Sequence, residues 1–274
     1  MTETKNEPRH PGHPRWTLVL LALVLVGAAP LGSGLRWGRG FNQASAAEPN
    51  TGMSKEEFEQ RLHDYLLAHP EVIGEALNRL DALQREQTAK QAQVALKSHA
   101  DQVFHDPNDP VSGNPNGDVT LVEFFDYNCP YCKSMSPVMT QVEAADPQLR
   151  IVYKEFPILG PDSLLAAKAA LAANKQGKYV AFHRALYELR GHVDEGKVME
   201  VAKRVGLDLA RLKADMRAPE ISDHLEQNIN LAQSLGINGT PGFAIGKHVF
   251  TGATDLKSLQ ATVAAARKSA STSR

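Results

Sequence analysis

Two cysteines constrain this chain more than any other feature. Cys129 and Cys132 are the only two in 274 residues, and Pro130 and Tyr131 separate them. The apolar run Val119 to Phe125 leads into the pair, and Lys133 to Ala145 leaves it with helical spacing. A strand that ends in Cys-x-x-Cys at the mouth of a helix sets the first thiol over unpaired backbone N–H groups and the positive end of the helix dipole. Negative charge is favoured there, so Cys129 is expected as the nucleophilic thiolate. Cys132 lies one turn further in. It is expected to close a short disulfide onto Cys129, or to resolve a mixed disulfide that Cys129 has formed.

The same spacing serves two other purposes, and both fit poorly. A zinc ribbon or knuckle needs two further ligands, yet the chain has no other cysteine and no histidine pair at zinc spacing follows Cys132. A structural disulfide between residues three apart closes too small a loop to stabilise much. Dithiol exchange is therefore the expected chemistry, with no cofactor and no metal.

Three segments together carry a family resemblance: Glu123-Phe124-Phe125-Asp126-Tyr127-Asn128-Cys129-Pro130-Tyr131-Cys132, then Tyr153-Lys154-Glu155-Phe156-Pro157, then Gly239-Thr240-Pro241-Gly242. Residues 115–268 resemble the DsbA-like branch of the thioredoxin superfamily. Residues 53–105 resemble the N-terminal helical region of its ScsC (suppressor of copper sensitivity) and Com1-like subgroup. The resemblance implies an α/β chain: a thioredoxin fold with an inserted helical domain, preceded by an N-terminal helical stalk. It also implies a cis Thr240–Pro241 bond beside the cysteines, with the backbone of Thr240 offered to an extended substrate chain. Glu123, in an otherwise apolar strand, matches the buried acid beneath the active site of thioredoxin-like proteins. It is the candidate base for Cys132; an exposed edge position is the alternative. Pro130 and Tyr131 are expected to tune the pair. A tyrosine where some relatives carry histidine stabilises the thiolate less, which points to a milder oxidant.

The rest of the chain is read around this centre. Residues 1–47 hold a basic start, the apolar run Trp16 to Leu31 and the cleavage-like Ala44-Ser45-Ala46, the pattern of a signal peptide or signal anchor. Either device places the remainder outside the cytoplasm, periplasmic or possessing an inner-membrane anchor. An oxidising compartment agrees with a chain whose only sulfur pair is reserved for exchange. Residues 48–112 are expected as a helical region. Ser54-Lys55-Glu56-Glu57 opens one helix, His69-Pro70 ends it, and a second runs from about Glu71 to Ala100. Ile73, Leu77 and Leu80 follow heptad spacing before the register turns to glutamine. Either this helix packs on its own domain, or 53–105 joins copies of the chain. Phe104 to Gly117 reads as a loop. Residues 113–268 form the DsbA-like domain, with five helices over about 161–236 closed by glycines, and 269–274 read as a disordered tail. Lys154 and Glu155 are read as surface or near-site charges.

A net charge of −1 gives no reason to expect nucleic acid as a partner. The expected partners are proteins that carry cysteines and a membrane redox protein that resets the pair. Tyr131 and Thr240 resemble isomerase-type members more than the oxidase, so an isomerase or reductase is expected. A monomeric dithiol oxidase, or a copper-tolerance protein whose two thiolates hold Cu(I), stays open.

Overall fold

The computed structural model describes residues 52–272. The export or anchor segment expected over 1–47 lies outside the described residues, and no described helix is long and apolar enough to cross a membrane. The chain divides between Arg61 and Leu62 into two units. Of the first, the described part is residues 52–61, which carry the opening turns of α1 (Lys55–Ala68).

Capping sets the first boundaries. Ser54 Oγ accepts the Glu57 N–H at 3.1 Å, and Pro70 opens α2 (Pro70–Ser98) at a position that needs no intrahelical N–H. No residue of α1 is buried, and on α2 the first buried residues are Ala92 and Leu96. Ile73, Leu77 and Leu80 are 47–57% exposed, so the apolar row on the first half of α2 lies outside the core. A short helix, α3 (Ala100–Phe104), follows.

The stretch expected as a loop from Phe104 to Gly117 contains a strand, β1 (Val111–Gly113). Three residues carry no readable alternation. The strand exists because the neighbouring β3 has a free edge, along which Val111 pairs with Val152 and Gly113 with Arg150. β1, β2 (Val119–Phe125), β3 (Leu149–Glu155), β4 (Gly242–Ile245) and β5 (His248–Thr251) form one sheet in the order β1-β3-β2-β4-β5. β2 and β3 are parallel; every other pairing is antiparallel. Such a parallel pair needs a crossover, and α4 (Pro130–Ala145) makes it.

Between β3 and β4 lie α5 (Pro161–Asn174), α6 (Tyr179–Tyr187), α7 (Glu195–Arg204), α8 (Leu209–Asp215) and α9 (Pro219–Ser234). This is the expected helical insertion. The glycine stop after α9 takes φ +73° at Gly236, and Ile237 N–H reaches back to Ala232 O at 2.8 Å, the Schellman pattern that satisfies a last-turn carbonyl. α10 (Leu256–Thr272) closes the chain and corrects the expectation of a disordered tail over 269–272. There Ser269 and Thr272 turn their hydroxyls back onto the carbonyls of Ala265 and Lys268.

Alternation along the strands divides two cores. Leu121, Phe125, Ile151, Tyr153, Phe243 and Ile245 face the core that α4, α10 and the first insertion helices complete. Val122, Phe124, Val152 and Ala244 face a second core with Leu96, Val103 and Leu231. The folded domain therefore begins before residue 113, since Leu96 of α2 and Val103 of α3 are part of its interior. Lys154 and Glu155 are 1% exposed each, which removes the surface alternative from their reading as surface or near-site charges. Consecutive strand residues point to opposite faces. Lys154 goes to the second core and donates to Gln102 O, while Glu155 goes to the first.

Leu96→Ala is expected to lower the unfolding free energy by about 2–5 kcal/mol, whereas Leu77→Ala in dilute protein should change it by under about 0.5 kcal/mol. Urea titration of both variants separates a helix end rooted in the core from one that is not; equal losses would contradict the division drawn along α2.

Candidate active site

β2 ends at Phe125, and the four residues that follow carry the chain to α4. Asp126 governs this turn. It is 1% exposed. Its Oδ1 accepts Asn128 N–H at 2.8 Å and Ser163 Oγ–H at 2.7 Å, and its Oδ2 accepts the N–H groups of Ile158 and Leu159 at 2.9 and 3.0 Å. One carboxylate thus ties together the turn before Cys129, the loop after β3 and the first turn of α5. Asn128 adds a second tie. Its side chain accepts Val193 N–H at 2.7 Å and donates to Val193 O at 3.1 Å.

Cys129 is the N-cap of α4. Its Sγ accepts the Cys132 N–H at 3.4 Å and donates to Thr240 O at 3.2 Å. Pro130 takes the first helical position, where its missing N–H costs nothing. Tyr131 is 65% exposed, so its ring meets solvent or a partner rather than the core. Both cysteines are free thiols, and both are buried, Cys132 completely.

Strand register brings Thr240 here. Gly242 pairs with Phe124 at the end of β2, so the residues just before β4 lie beside the turn that follows β2. The Thr240–Pro241 bond is cis, as the resemblance implies. Gly242 has no room for a side chain, because a Cβ would lie 2.4 Å from Ile237 Cγ2.

Glu123 pairs with Phe243 and Tyr153 in the middle of the sheet and is 2% exposed; it does not occupy an exposed edge. Burial pushes its carboxyl up to about 8. Burial also raises the Cys132 thiol, and the charge of Glu123 raises it further. Ionising either group opposes ionising the other. Cys132 therefore keeps its proton in the resting protein, and Glu123 exchanges protons near neutral pH.

Glu155, whose burial was not legible in the sequence, is a further buried acid. Glu155 Oε1 accepts the hydroxyls of Tyr127 at 3.1 Å and Tyr179 at 2.7 Å. Burial raises its pKa well above the ordinary carboxylate range. His183 Nδ1 lies 3.0 Å from the Tyr127 oxygen, whose proton points to Glu155. The imidazole is kept neutral, since burial and Arg184 lower its pKa to about 3. Tyr153, Tyr187 and Phe125 pack around His183 at centroid distances of 4.5–5.0 Å. Of this set only the Asp-x-Asn turn left a sequence signal, through its resemblance to a side-chain-capped turn. Partners 24 to 65 positions away left none.

The chain was compared with known proteins. A model described as the DSBA-like thioredoxin domain matches residues 120–264, and one described as the copper resistance protein ScsC N-terminal domain matches 55–87. A thioredoxin-like oxidoreductase of Silicibacter pomeroyi is similar at 51% identity and TM-score 0.60, over 61% of this chain and 97% of that one. The catalytic domain of Proteus mirabilis ScsC is similar at 28% identity and TM-score 0.59, over 64% of this chain and 98% of that one. A Na(+)/H(+) antiporter NhaA of Salinispora tropica is 29% identical over 60% of this chain, and the match spans 26% of the antiporter's own length.

Because Glu123 binds its proton more tightly folded than unfolded, its contribution to stability is full below about pH 4.5 and is lost as pH rises through about 8. Glu123→Gln removes that dependence. Relative to the parent, the variant is expected to gain about 1.4 kcal/mol per pH unit across that window. Urea unfolding at about pH 5 and 8 measures it, and a difference that does not change with pH would show that Glu123 does not titrate there. Asp126→Ala leaves several buried N–H groups without an acceptor and is expected to cost more than about 3 kcal/mol, measured in the same way.

Proposed function

The chain belongs to the family of DSBA-like thioredoxin domains, and from that premise we propose that it is an extracytoplasmic thiol–disulfide oxidoreductase that acts on proteins through Cys129 and Cys132. The observation that carries this reading is the placement of Cys129. Its sulfur caps α4, meets the Cys132 N–H, and lies 3.2 Å from the carbonyl of Thr240.

The chemistry follows from that placement. The Cys129 thiolate attacks one sulfur of a substrate disulfide, and the other substrate sulfur leaves as a thiolate. The Cys132 thiol then gives its proton to the Glu123 carboxylate and attacks Cys129 Sγ. A Cys129–Cys132 disulfide forms, the second substrate sulfur is released, and the substrate has gained two electrons. The reverse sequence oxidises a substrate dithiol, with the disulfide of the pair as the oxidant. In isomerisation a substrate thiolate displaces Cys129 instead, and the pair ends reduced. The raised pKa of Cys132 keeps it from competing with Cys129 in the first step. Pro130 and Tyr131 tune the pair, and the backbone at Thr240 and Pro241 receives the substrate chain beside it. Tyr131, Ile158 and Leu159, at 39–65% exposure, offer apolar surface to an unfolded segment.

Isomerase or reductase work is the favoured direction. Tyr131 and Thr240 support it, and so does the exposed apolar row Leu62, Tyr65, Ile73, Leu77 and Leu80, which suits joining copies of the chain through residues 53–105. The N-terminal apolar run supports export, and a membrane partner that restores the reduced pair completes the cycle. The match of residues 55–87 to a copper resistance protein's N-terminal domain favours a second reading, in which the reduced thiols hold Cu(I).

Cys132→Ser is expected to accumulate mixed disulfides with protein substrates, visible as reductant-sensitive adducts, and Cys129→Ser none. Adducts that require Cys132 instead would reverse the assignment. Glu123→Gln should slow resolution of the adduct at least about tenfold while the alkylation rate of Cys129 stays near the parent's. Light scattering of residues 48–274 is expected to give a multiple of the chain mass that falls to one chain in Leu77→Glu/Leu80→Glu. One chain in both would favour a monomeric oxidase. Removing residues 48–105 outright is the poorer test, since it also removes Leu96 and Val103 from the core.

A further inference from the structure

A second cluster of charged side chains lies outside the redox site. Asp106 and Asp109, in the loop before β1, converge with His224 on α9, and one ligand atom from each lies within 4.8 Å of the others. We propose that Asp106, Asp109 and His224 bind a divalent cation of the zinc class.

Burial and hydrogen bonding carry the proposal. Asp109 is 5% exposed and His224 6%; Lys154 pairs with Asp109 Oδ2, but neither Asp109 Oδ1 nor either ring nitrogen of His224 makes a well-formed hydrogen bond. Leaving such groups unsatisfied costs about 1–3 kcal/mol each. His224 Nε2 stands 3.2 Å from Asp109 Oδ1, close to the spacing of two ligands on one zinc ion with bonds of about 2.0–2.2 Å. A cation between them satisfies both atoms at once. Asp106 is the adjustable third ligand. Its side chain is 17% exposed, with Oδ2 3.9 Å from His224 Nδ1, while Oδ1 accepts Asn108 N–H at 2.9 Å and anchors the turn.

Lys154 is the counterargument that must be met. Its Nζ lies 2.5 Å from Asp109 Oδ2 and 2.6 Å from Gln102 O. It thereby occupies the oxygen of Asp109 that faces away from His224, fixes the carboxylate's orientation, and acts as an outer-shell partner of the kind that orients metal ligands. Access is open at the histidine: a cleft of about 430 Å³, lined by Asn108, Lys175, Glu220, Asp223 and Gln227, reaches His224. Water entering by it completes the coordination.

One imidazole and two carboxylates form a borderline donor set, suited to zinc and its first-row neighbours and poorly suited to Cu(I). The site is therefore chemically distinct from the thiol pair. Ligands at 106, 109 and 224 follow no local spacing, so no metal motif is legible in the chain.

The test uses the full chain carrying Cys129→Ser and Cys132→Ser, so that no thiolate competes, stripped with a chelator and titrated with Zn²⁺ in a calorimeter. One saturable equivalent is expected at this site, weakened at least about tenfold by His224→Gln and by Asp106→Asn. Asp106→Asn keeps an acceptor for Asn108 N–H, so it retains the turn even if His224→Gln disturbs α9. Zn²⁺ should also raise the Tm of the parent more than that of Asp106→Asn. Absence of a saturable equivalent, or equal affinity in the parent and both variants, would overturn the proposal and leave His224 as an ion-pair partner of the two aspartates.

Discussion

The carboxylate of Asp126 is the contact on which the geometry of the candidate site depends. A cysteine at a helix N-terminus needs only local sequence, but a cysteine held at a fixed distance from a second loop needs the turn before it to be rigid. Asp126 accepts four hydrogen bonds from three separate segments. The turn, the loop after β3 and the start of the helical insertion are therefore tied to one carboxylate. The insertion is for this reason part of the site's construction as well as a cover over it. Its Ser163 and the backbone of Val193 bond to Asp126 and Asn128, just before Cys129.

The sheet then sorts charge by face. Glu123 and Glu155 share the face that carries the cysteines, where burial raises both carboxyls and keeps their protons available. Lys154, one position from Glu155, points to the other face and neutralises Asp109. A lysine on the cysteine side would stabilise an ionised Glu123 and weaken its hold on a proton. Strand alternation separates the two environments by one residue.

At the N-terminal end, the two halves of α2 obey different constraints. The half near Leu96 is shaped by the second core, and the half near Leu77 presents apolar side chains to solvent. Exposed leucines at heptad-like spacing on a helix fixed at one end form a surface suited to partner helices. The thioredoxin fold gains nothing from them for its own stability.

Much of this was legible in the sequence. The Cys-x-x-Cys motif between a strand and a helix, the glycine stops of the insertion and the Gly-Thr-Pro-Gly segment are local patterns, because caps, turns and proline geometry are decided by a few neighbouring residues. They located the central strands, the five insertion helices and the thiol pair to within a few residues. What the sequence could not decide were contacts whose partners are far apart in the chain. β1 exists only because β3 has a free edge. Lys154 and Glu155 are buried only because compensating groups wait at Asp109, Gln102, Tyr127 and Tyr179. Asp126, an ordinary turn residue by its neighbours, becomes the site's anchor through atoms of residues 158, 159 and 163. Burial of charge is a property of the assembled fold, because its cost depends on what surrounds the group. Only the tertiary structure could fix it.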